Sequence, residues 1–279
     1  MVVLLVVGAT GGVGREVVRE LLAISPAGTI VRALVRDPAK VQGMWGTAAA
    51  GPELHVGDVT RPDSVAPAIA GADVVIMAHS RRSGEAGSTP EAVDYAGTVA
   101  ISQLAKSAGV SKLVYVTSNS VNRPEKTVVQ ALNWFGGMGM AWKLRAEGAV
   151  RSCGVPYVIV RPVGLKDDGD ETAVIQQEAF GLGRISRRAV GQLCARAVAA
   201  APANSTIHCS GVAPEGGQPD LSAAFAALVP DSAPGMSERT ASATFEEHEQ
   251  ATNAFAWKVR LGGVGLLGAV VACIYKAKY

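Results

Sequence analysis

Val2-Val3-Leu4-Leu5-Val6-Val7-Gly8-Ala9-Thr10-Gly11-Gly12-Val13-Gly14 is the stretch that decides the fold. An apolar run of strand length leads directly into glycines at 8, 11 and 14, and a helix-like stretch follows from Arg15. The first glycine lets the chain turn sharply off the strand. The second lets backbone approach a pyrophosphate, and the third lets the helix sit close on the sheet. The helix start offers free N–H groups and a positive dipole end to the phosphates. A chain with 32 glycines produces some such spacings by chance. The strand before and the helix after therefore carry the reading. Nucleotide binding by Gly8, Thr10, Gly11, Gly12, Val13 and Gly14 is expected.

The same alternation continues outward. Strand-like segments at 30–35, 53–56, 73–77, 112–116 and 157–160 are separated by helix-like ones at 15–24, 63–69, 91–108 and 139–153. Right-handed crossovers then give an α/β fold, a Rossmann-like doubly wound parallel sheet with its ligand crevice at the strand C-terminal ends. A further helix is read over 185–200, introduced by Ser186. Residues 201–254, rich in Pro, Gly, Ser and Ala, read as a small irregular cap or linker with a strand at 206–209 and a helix at 221–228. The expected organisation is a cofactor-binding domain over 1–200, the cap over 201–254, and an apolar tail over 255–279.

Composition bounds the function. The 279 residues suffice for one large domain with a modest appendage. Hydrophobic residues reach 48% with only 5% aromatics, as suits a sheet buried on both faces. A net charge of +2 is too mild to imply nucleic acid as a partner. The four cysteines show no C-x-x-C pairing and no His/Cys ligand spacing, so no metal site is expected. Met1 runs directly into the first strand, so a targeting leader is expected either to have been removed or to lie elsewhere.

Arg36 follows the second strand, where a dinucleotide fold contacts the adenosine ribose. An acidic residue there suits the 2′-hydroxyl of NAD, whereas arginine suits the 2′-phosphate of NADP. The bland reading is a solvated basic strand end. Arg32, in the same strand, could face either way, and Asp37 before Pro38 reads as a turn residue. Asp58, with Val59, follows the third strand and either accepts from the adenine amino group or forms the turn. Ala78, His79 and Ser80 end the fourth strand and would run along the pyrophosphate and nicotinamide ribose, with His79 a weak acid–base candidate. Asn133 to Met138 reads as a lid, a docking surface or a core-packing loop.

This series, with Val93-Asp94-Tyr95-Ala96-Gly97-Thr98, Val116-Thr117-Ser118 and Gly154-Val155-Pro156-Tyr157, resembles the atypical short-chain dehydrogenase/reductases over about residues 1–200. Within them it is most similar to the NmrA-like and plant-type NAD(P)-binding proteins. The resemblance implies an extended groove for NADP(H), with NAD(H) the lesser alternative. It also implies that Thr117, Ser118 and Lys143 lie toward the nicotinamide, with Arg161, Pro162 and Val163 in the segment after the sixth strand. Active members use a tyrosine four residues before a lysine, with a serine after the fifth strand. Here the lysine is Lys143, and Gly139 stands where the tyrosine should be. Glycine has no proton to give. Ser118, Lys143 and His79 remain as weak catalytic candidates, enough to hold a cofactor but not the usual proton relay.

Residues 261–275 carry no charge, with Lys258 and Arg260 before them and Lys276 and Lys278 after. Fifteen helical residues cover ~22 Å, short of the ~30 Å of a bilayer core. Snorkelling lysines and an aromatic belt of Trp257, Tyr275 and Tyr279 would extend the reach. The alternative is a buried helix docking on the main domain. The expectation is a C-terminal apolar, membrane-spanning helix that contacts a membrane or a membrane-protein complex through residues 255–279.

Together these features suggest an NADP(H)-binding, non-catalytic accessory or assembly subunit of a bioenergetic membrane complex, respiratory (complex I-like) or photosynthetic. The mitochondrial inner membrane, matrix side, is the first location expected, then the plastid, with a soluble cytoplasmic protein as fallback. The runner-up is an active membrane-anchored NADPH-dependent reductase or isomerase, and a third reading is a redox sensor.

Overall fold

The computed structural model describes residues 1–41, 43–45, 51–212, 219–234, 236 and 243–260. Every residue of β1 (Val3–Val7) is buried, as a strand of unbroken Val and Leu requires when helices cover both faces. α1 (Gly12–Ile24) follows, then β2 (Ile30–Val35), β3 (Glu53–Val56), α2 (Pro62–Ile69) and β4 (Val74–Met77). Pro90–Ala96 forms a π-helical turn that runs on into α3 (Gly97–Ser107), and β5 (Lys112–Val116) comes next. α4 (Thr127–Gly136), α5 (Gly139–Ser152) and β6 (Tyr157–Pro162) complete the main alternation. The chain then adds β7 (Gly164–Lys166), β8 (Thr172–Gln176), β9 (Arg184–Ser186), α6 (Arg187–Ala200), β10 (Ser205–Val212) and α7 (Leu221–Ala226). A last helix, α8, covers residues 245–260.

Eight strands make one sheet in the order β3-β2-β1-β4-β5-β6-β10-β8, parallel except for β8 against β10. Chain order reverses between β1 and β4, which opens a crevice above their C-terminal ends. α1 and α6 cover one face through Val17, Leu21, Val190 and Leu193. α2, α3 and α5 cover the other through Val65, Ile69, Ile101, Ala146 and Val150. The boundary drawn at residue 200 falls inside this sheet, because β10 pairs with β6 from Ser205 to Cys209.

Two readings of the sequence need correction. The helix expected over 91–108 begins as a π turn, whose Asp94 carbonyl accepts from both Thr98 Oγ1 (2.8 Å) and Tyr115 Oη (3.3 Å). Asn133 to Met138 is a helix–helix corner. Gly137 closes α4 at φ +63°, and the Asn133 carboxamide caps α5 by accepting from Met140 N at 2.9 Å. The membrane-spanning helix expected from the sequence falls on the apolar run 261–275; among the described residues no helix is long and apolar enough to cross a membrane. The stretch 261–279 lies outside the described residues. α8, which precedes that stretch, buries His248, Thr252, Phe255 and Val259, one stripe at helical spacing, with Phe255 edge-on to Trp134 of α4.

Candidate functional site

The turn from β1 to α1 is built by backbone that tolerates no side chain. Gly8 takes φ +78°, and a Cβ there would lie 2.6 Å from the backbone of His79. A Cβ on Gly14 would lie 2.1 Å from the Gly8 carbonyl oxygen. The turn is closed by Gly11 N–H donating to that same oxygen at 2.9 Å. α1 starts at Gly12 with Gly11 as its N-cap, no side chain caps it, and no acidic residue stands in its first turn. Its first N–H groups are thus left for an anion, at the positive end of a 13-residue helix. Val13 and Gly14 are buried behind the turn. Arg187 lies directly over Gly12, where a Cβ would come within 2.3 Å of its Cδ. Its guanidinium donates to Asp167 at 2.8 Å.

From this turn a cleft of about 200 Å³ runs across the ends of β2 and β3. It gathers Gly8, Thr10, Gly11, Arg36, Asp58, Val59, Ala78 and His79 from the expected set. Arg36 stands at its outer end and pairs with Glu85 of the loop after β4, its Nη2 donating to Oε2 at 3.1 Å. That hydrogen bond raises the Arg36 pKa. Asp58 spends one oxygen on its own turn, accepting from Thr60 N (2.9 Å) and Thr60 Oγ1 (2.8 Å), so it both shapes the loop and lines the cleft. Burial opposes its ionisation, but the Thr60 bonds and Arg36 outweigh this and lower its pKa. Arg32 faces away and closes the end of α2 by donating to Ala68 O and Ala70 O. Asp37 takes Ala39 N–H in a turn.

At the inner end Ser80 lines the cleft and donates to Asp94 at 2.7 Å. Asp94, from the π turn, is also held by the Lys143 ammonium, which donates to Ser80 at 3.2 Å. Burial works against the Asp94 carboxylate, yet Lys143 and the bonds from Ser80 and Arg81 N–H keep it ionised. His79 is buried against Thr98, its Nε2 3.1 Å from Oγ1. Burial, aided by Lys143 and opposed by Asp94, pushes its imidazole down to about 4, so it is neutral at neutral pH. Neutral histidine can exchange a hydrogen bond here, but at pH 7 it carries no proton to spare.

The remaining expected residues lie outside this cleft. Gly12, Val13 and Gly14 form the helix behind it, and Ser118 is half-buried beyond β5. Thr117 donates to Glu147 at 2.7 Å. Arg161 is corrected most firmly: it is wholly buried, and its guanidinium donates to Glu147 at 2.6 and 3.0 Å. A side chain locked in that fork cannot also reach a nicotinamide. Pro162 and Val163 are buried beside it, where β6 meets β10. Gly139 begins α5 one turn before Lys143, and a Cβ there would meet nothing within 4 Å. No described tyrosine fills the place: Tyr115 is buried against Thr98 and Asp94, Tyr157 bonds Asp231, and Tyr95 stacks with Trp142 and Arg145. Sequence reasoning missed Glu85 and Arg187, which carry no local motif, and saw Asp94 only as part of the 93–98 segment, without its role at Ser80 and Lys143. Among the described residues no cluster of His, Cys, Asp and Glu could hold a metal ion.

The donor set fits a dinucleotide: bare helix N–H groups for the pyrophosphate, Arg36 and Asp58 for adenosine, and Ser80 and Lys143 for the second ribose. The comparisons agree. Residues 8–201 match the family of NAD(P)H-binding proteins. An uncharacterized chloroplastic protein of Arabidopsis thaliana is 35% identical over 204 residues, 69% of this chain and 70% of its own length. The photosystem II assembly factor Ycf39 of Trieres chinensis is 31% identical over 58% of this chain and 45% of its own. Of the longer chloroplastic TIC 62 proteins of pea and Arabidopsis the chain spans 39% and 32%. Among solved structures, an anaerobillin reductase from Escherichia coli superposes with a TM-score of 0.62 at 23% identity, over 75% of this chain and 96% of that one. That likeness shows the fold. Relatives from Arabidopsis and pea are chloroplastic proteins, which overturns the mitochondrial inner-membrane location expected from the sequence.

Proposed function

The chain belongs to the NAD(P)H-binding family, of the atypical short-chain dehydrogenase/reductase kind, and from that premise we propose that it holds NADP(H) as an accessory or assembly factor of a photosynthetic membrane complex in a plastid. The observation that carries this reading is the open space at Gly139. The proton donor of an active reductase has no side chain there, while the lysine that would serve it is retained and tied to Asp94. The anchoring half of the site is present and the relay half is missing. Similarity to an assembly factor and to chloroplastic proteins supports the setting. Contact with complex subunits is assigned to residues 255–279.

The experiment is purification from the native membrane, followed by native-gel migration and assay of bound nucleotide. Comigration with a large complex, carrying NADPH that does not exchange, is the expected result. A free protein that oxidises NADPH with a small carbonyl compound would overturn it. That outcome would favour the second reading, an NADPH-dependent reductase or isomerase using Ser118, Lys143 and His79, toward which the sanguinarine reductase of Eschscholzia californica points at 28% identity.

Choice of NADP over NAD rests on Arg36. Replacing it by alanine is expected to weaken NADPH by about 1.5–3 kcal/mol, the range for a hydrogen bond to a charged group. NADH should be little affected. Isothermal titration with both nucleotides checks this, and equal losses would remove the argument.

A further inference from the structure

Arg36 already holds an anion. Glu85 meets its guanidinium with both carboxylate oxygens, the planar fork-to-fork geometry that a phosphate also satisfies. The two residues stand 49 positions apart, so no local turn explains the pairing. Both line the cleft, at the end where the adenosine ribose belongs. We infer that Glu85 is a built-in competitor for the 2′-phosphate, a specificity-determining residue that occupies the Arg36 fork until a 2′-phosphorylated adenosine displaces it. This rests on the assignment of Arg36 to that phosphate.

The surroundings suit an exchange. Glu85 sits between Gly84 at φ +80° and Gly87 at φ +75°, and a Cβ on either would meet nothing within 4 Å. The open space at both glycines leaves the exposed Glu85 side chain room to swing aside without disturbing the core. The base of the loop is pinned where Arg82 N–H donates to Ser88 Oγ at 2.8 Å. Arg36 and Glu85 are both largely exposed, with side chains 46% and 37% accessible, so their pair is worth little in water and is easily surrendered. Asp58 and Glu85 are the carboxylates that face Arg36, and Arg82 is the second cation near Glu85. An incoming phosphate would thus meet one cation already engaged and two carboxylates. Removing Glu85 from that balance frees the cation and lowers the repulsion together. Once displaced, Glu85 has Arg82 to turn to.

The test uses the full chain and two adenosine fragments that differ by one phosphate, 2′,5′-ADP and 5′-AMP. Glu85→Gln is expected to bind 2′,5′-ADP roughly three- to fivefold more tightly, the scale of one exposed ion pair, with 5′-AMP unchanged. Unchanged or weaker binding of 2′,5′-ADP overturns the inference, the latter by making Glu85 a residue that positions Arg36. A selective loss of 5′-AMP also overturns it, by making Glu85 the ribose acceptor of an NAD site. Failure of the underlying reading shows separately: Arg36→Ala would then leave 2′,5′-ADP affinity untouched.

Discussion

Replacing Glu147 by alanine is expected to destabilise the protein by about 3–5 kcal/mol, the cost of stranding a buried charge. Glu147 is wholly buried in α5 and accepts from Thr117 after β5, from Arg161 of β6 and from Arg151 one turn along its own helix. Oε1 takes Thr117 Oγ1 at 2.7 Å and Arg161 Nε at 3.0 Å, while Oε2 takes Arg161 Nη2 at 2.6 Å and Arg151 Nη1 at 2.9 Å. Without it Arg161, itself wholly buried, keeps among the described residues only His208 as a side-chain partner, 3.4 Å from Nη1. Burial and Arg161 hold that imidazole down to about 3, so it is neutral and cannot replace a carboxylate. Because Lys143 lies one turn earlier on the same helix, the network also fixes the inner end of the cofactor groove.

The same residue sets an acid limit. Burial disfavours its charge, but Arg161 and Arg151 outweigh burial and bring the carboxyl from 4.5 to about 2. A carboxyl lowered in the folded state contributes stability that is fully present above pH 4.5 and is lost as pH falls from there toward 2. The contribution is about 3 kcal/mol. Urea unfolding midpoints at pH 7 and pH 3 check both statements. The wild type should lose stability between them, and Glu147→Gln should lose much less. A Glu147→Ala variant within 1 kcal/mol of wild type would show that the network is not structural.

What could be read from the sequence was what repeats locally. The buried strands are runs of Val, Leu and Ile whose periodicity has one interpretation, and the glycine turn carries its own geometry. What escaped depends on partners distant in the chain. The π turn is marked by Tyr115, which bonds the Asp94 carbonyl from β5. α4 ends in a left-handed glycine, and its Trp134 resembles a loop residue until Phe255 is set against it. Arg161 was expected near the nicotinamide because its segment resembles the one that follows the sixth strand in the family. Its burial becomes intelligible only once Glu147 of α5 is brought beneath it. Asp94 and Glu85 are the same lesson in the site itself: carboxylates whose role is set by the cation they meet.

The turn that identified the fold is also where the largest functional effect is expected. Gly14→Ala should lower NADPH affinity roughly 100-fold, equivalent to about 3 kcal/mol. Its Cβ would meet Gly8 O at 2.1 Å, Gly8 C at 2.8 Å and Ala9 Cα at 3.1 Å, all of them backbone, so no side chain can rotate away. α1 would have to retreat from the turn, yet α6 stands behind it. A Cβ on Gly191 would lie 2.5 Å from Glu16 Cβ, so the two helices already touch where the retreat would lead. The strain must therefore fall on the turn, displacing the N–H groups at the start of α1 that the pyrophosphate would use. Overpacking of this kind costs the fold about 1–3 kcal/mol, less than the binding it removes. Gly148→Ala in α5 is the matched control: its Cβ enters open space, and a helical alanine should gain about 1 kcal/mol without touching the groove. NADPH fluorescence titration beside urea unfolding separates the two effects. A folded Gly14→Ala protein that keeps wild-type affinity would mean that the pyrophosphate does not rest on this turn.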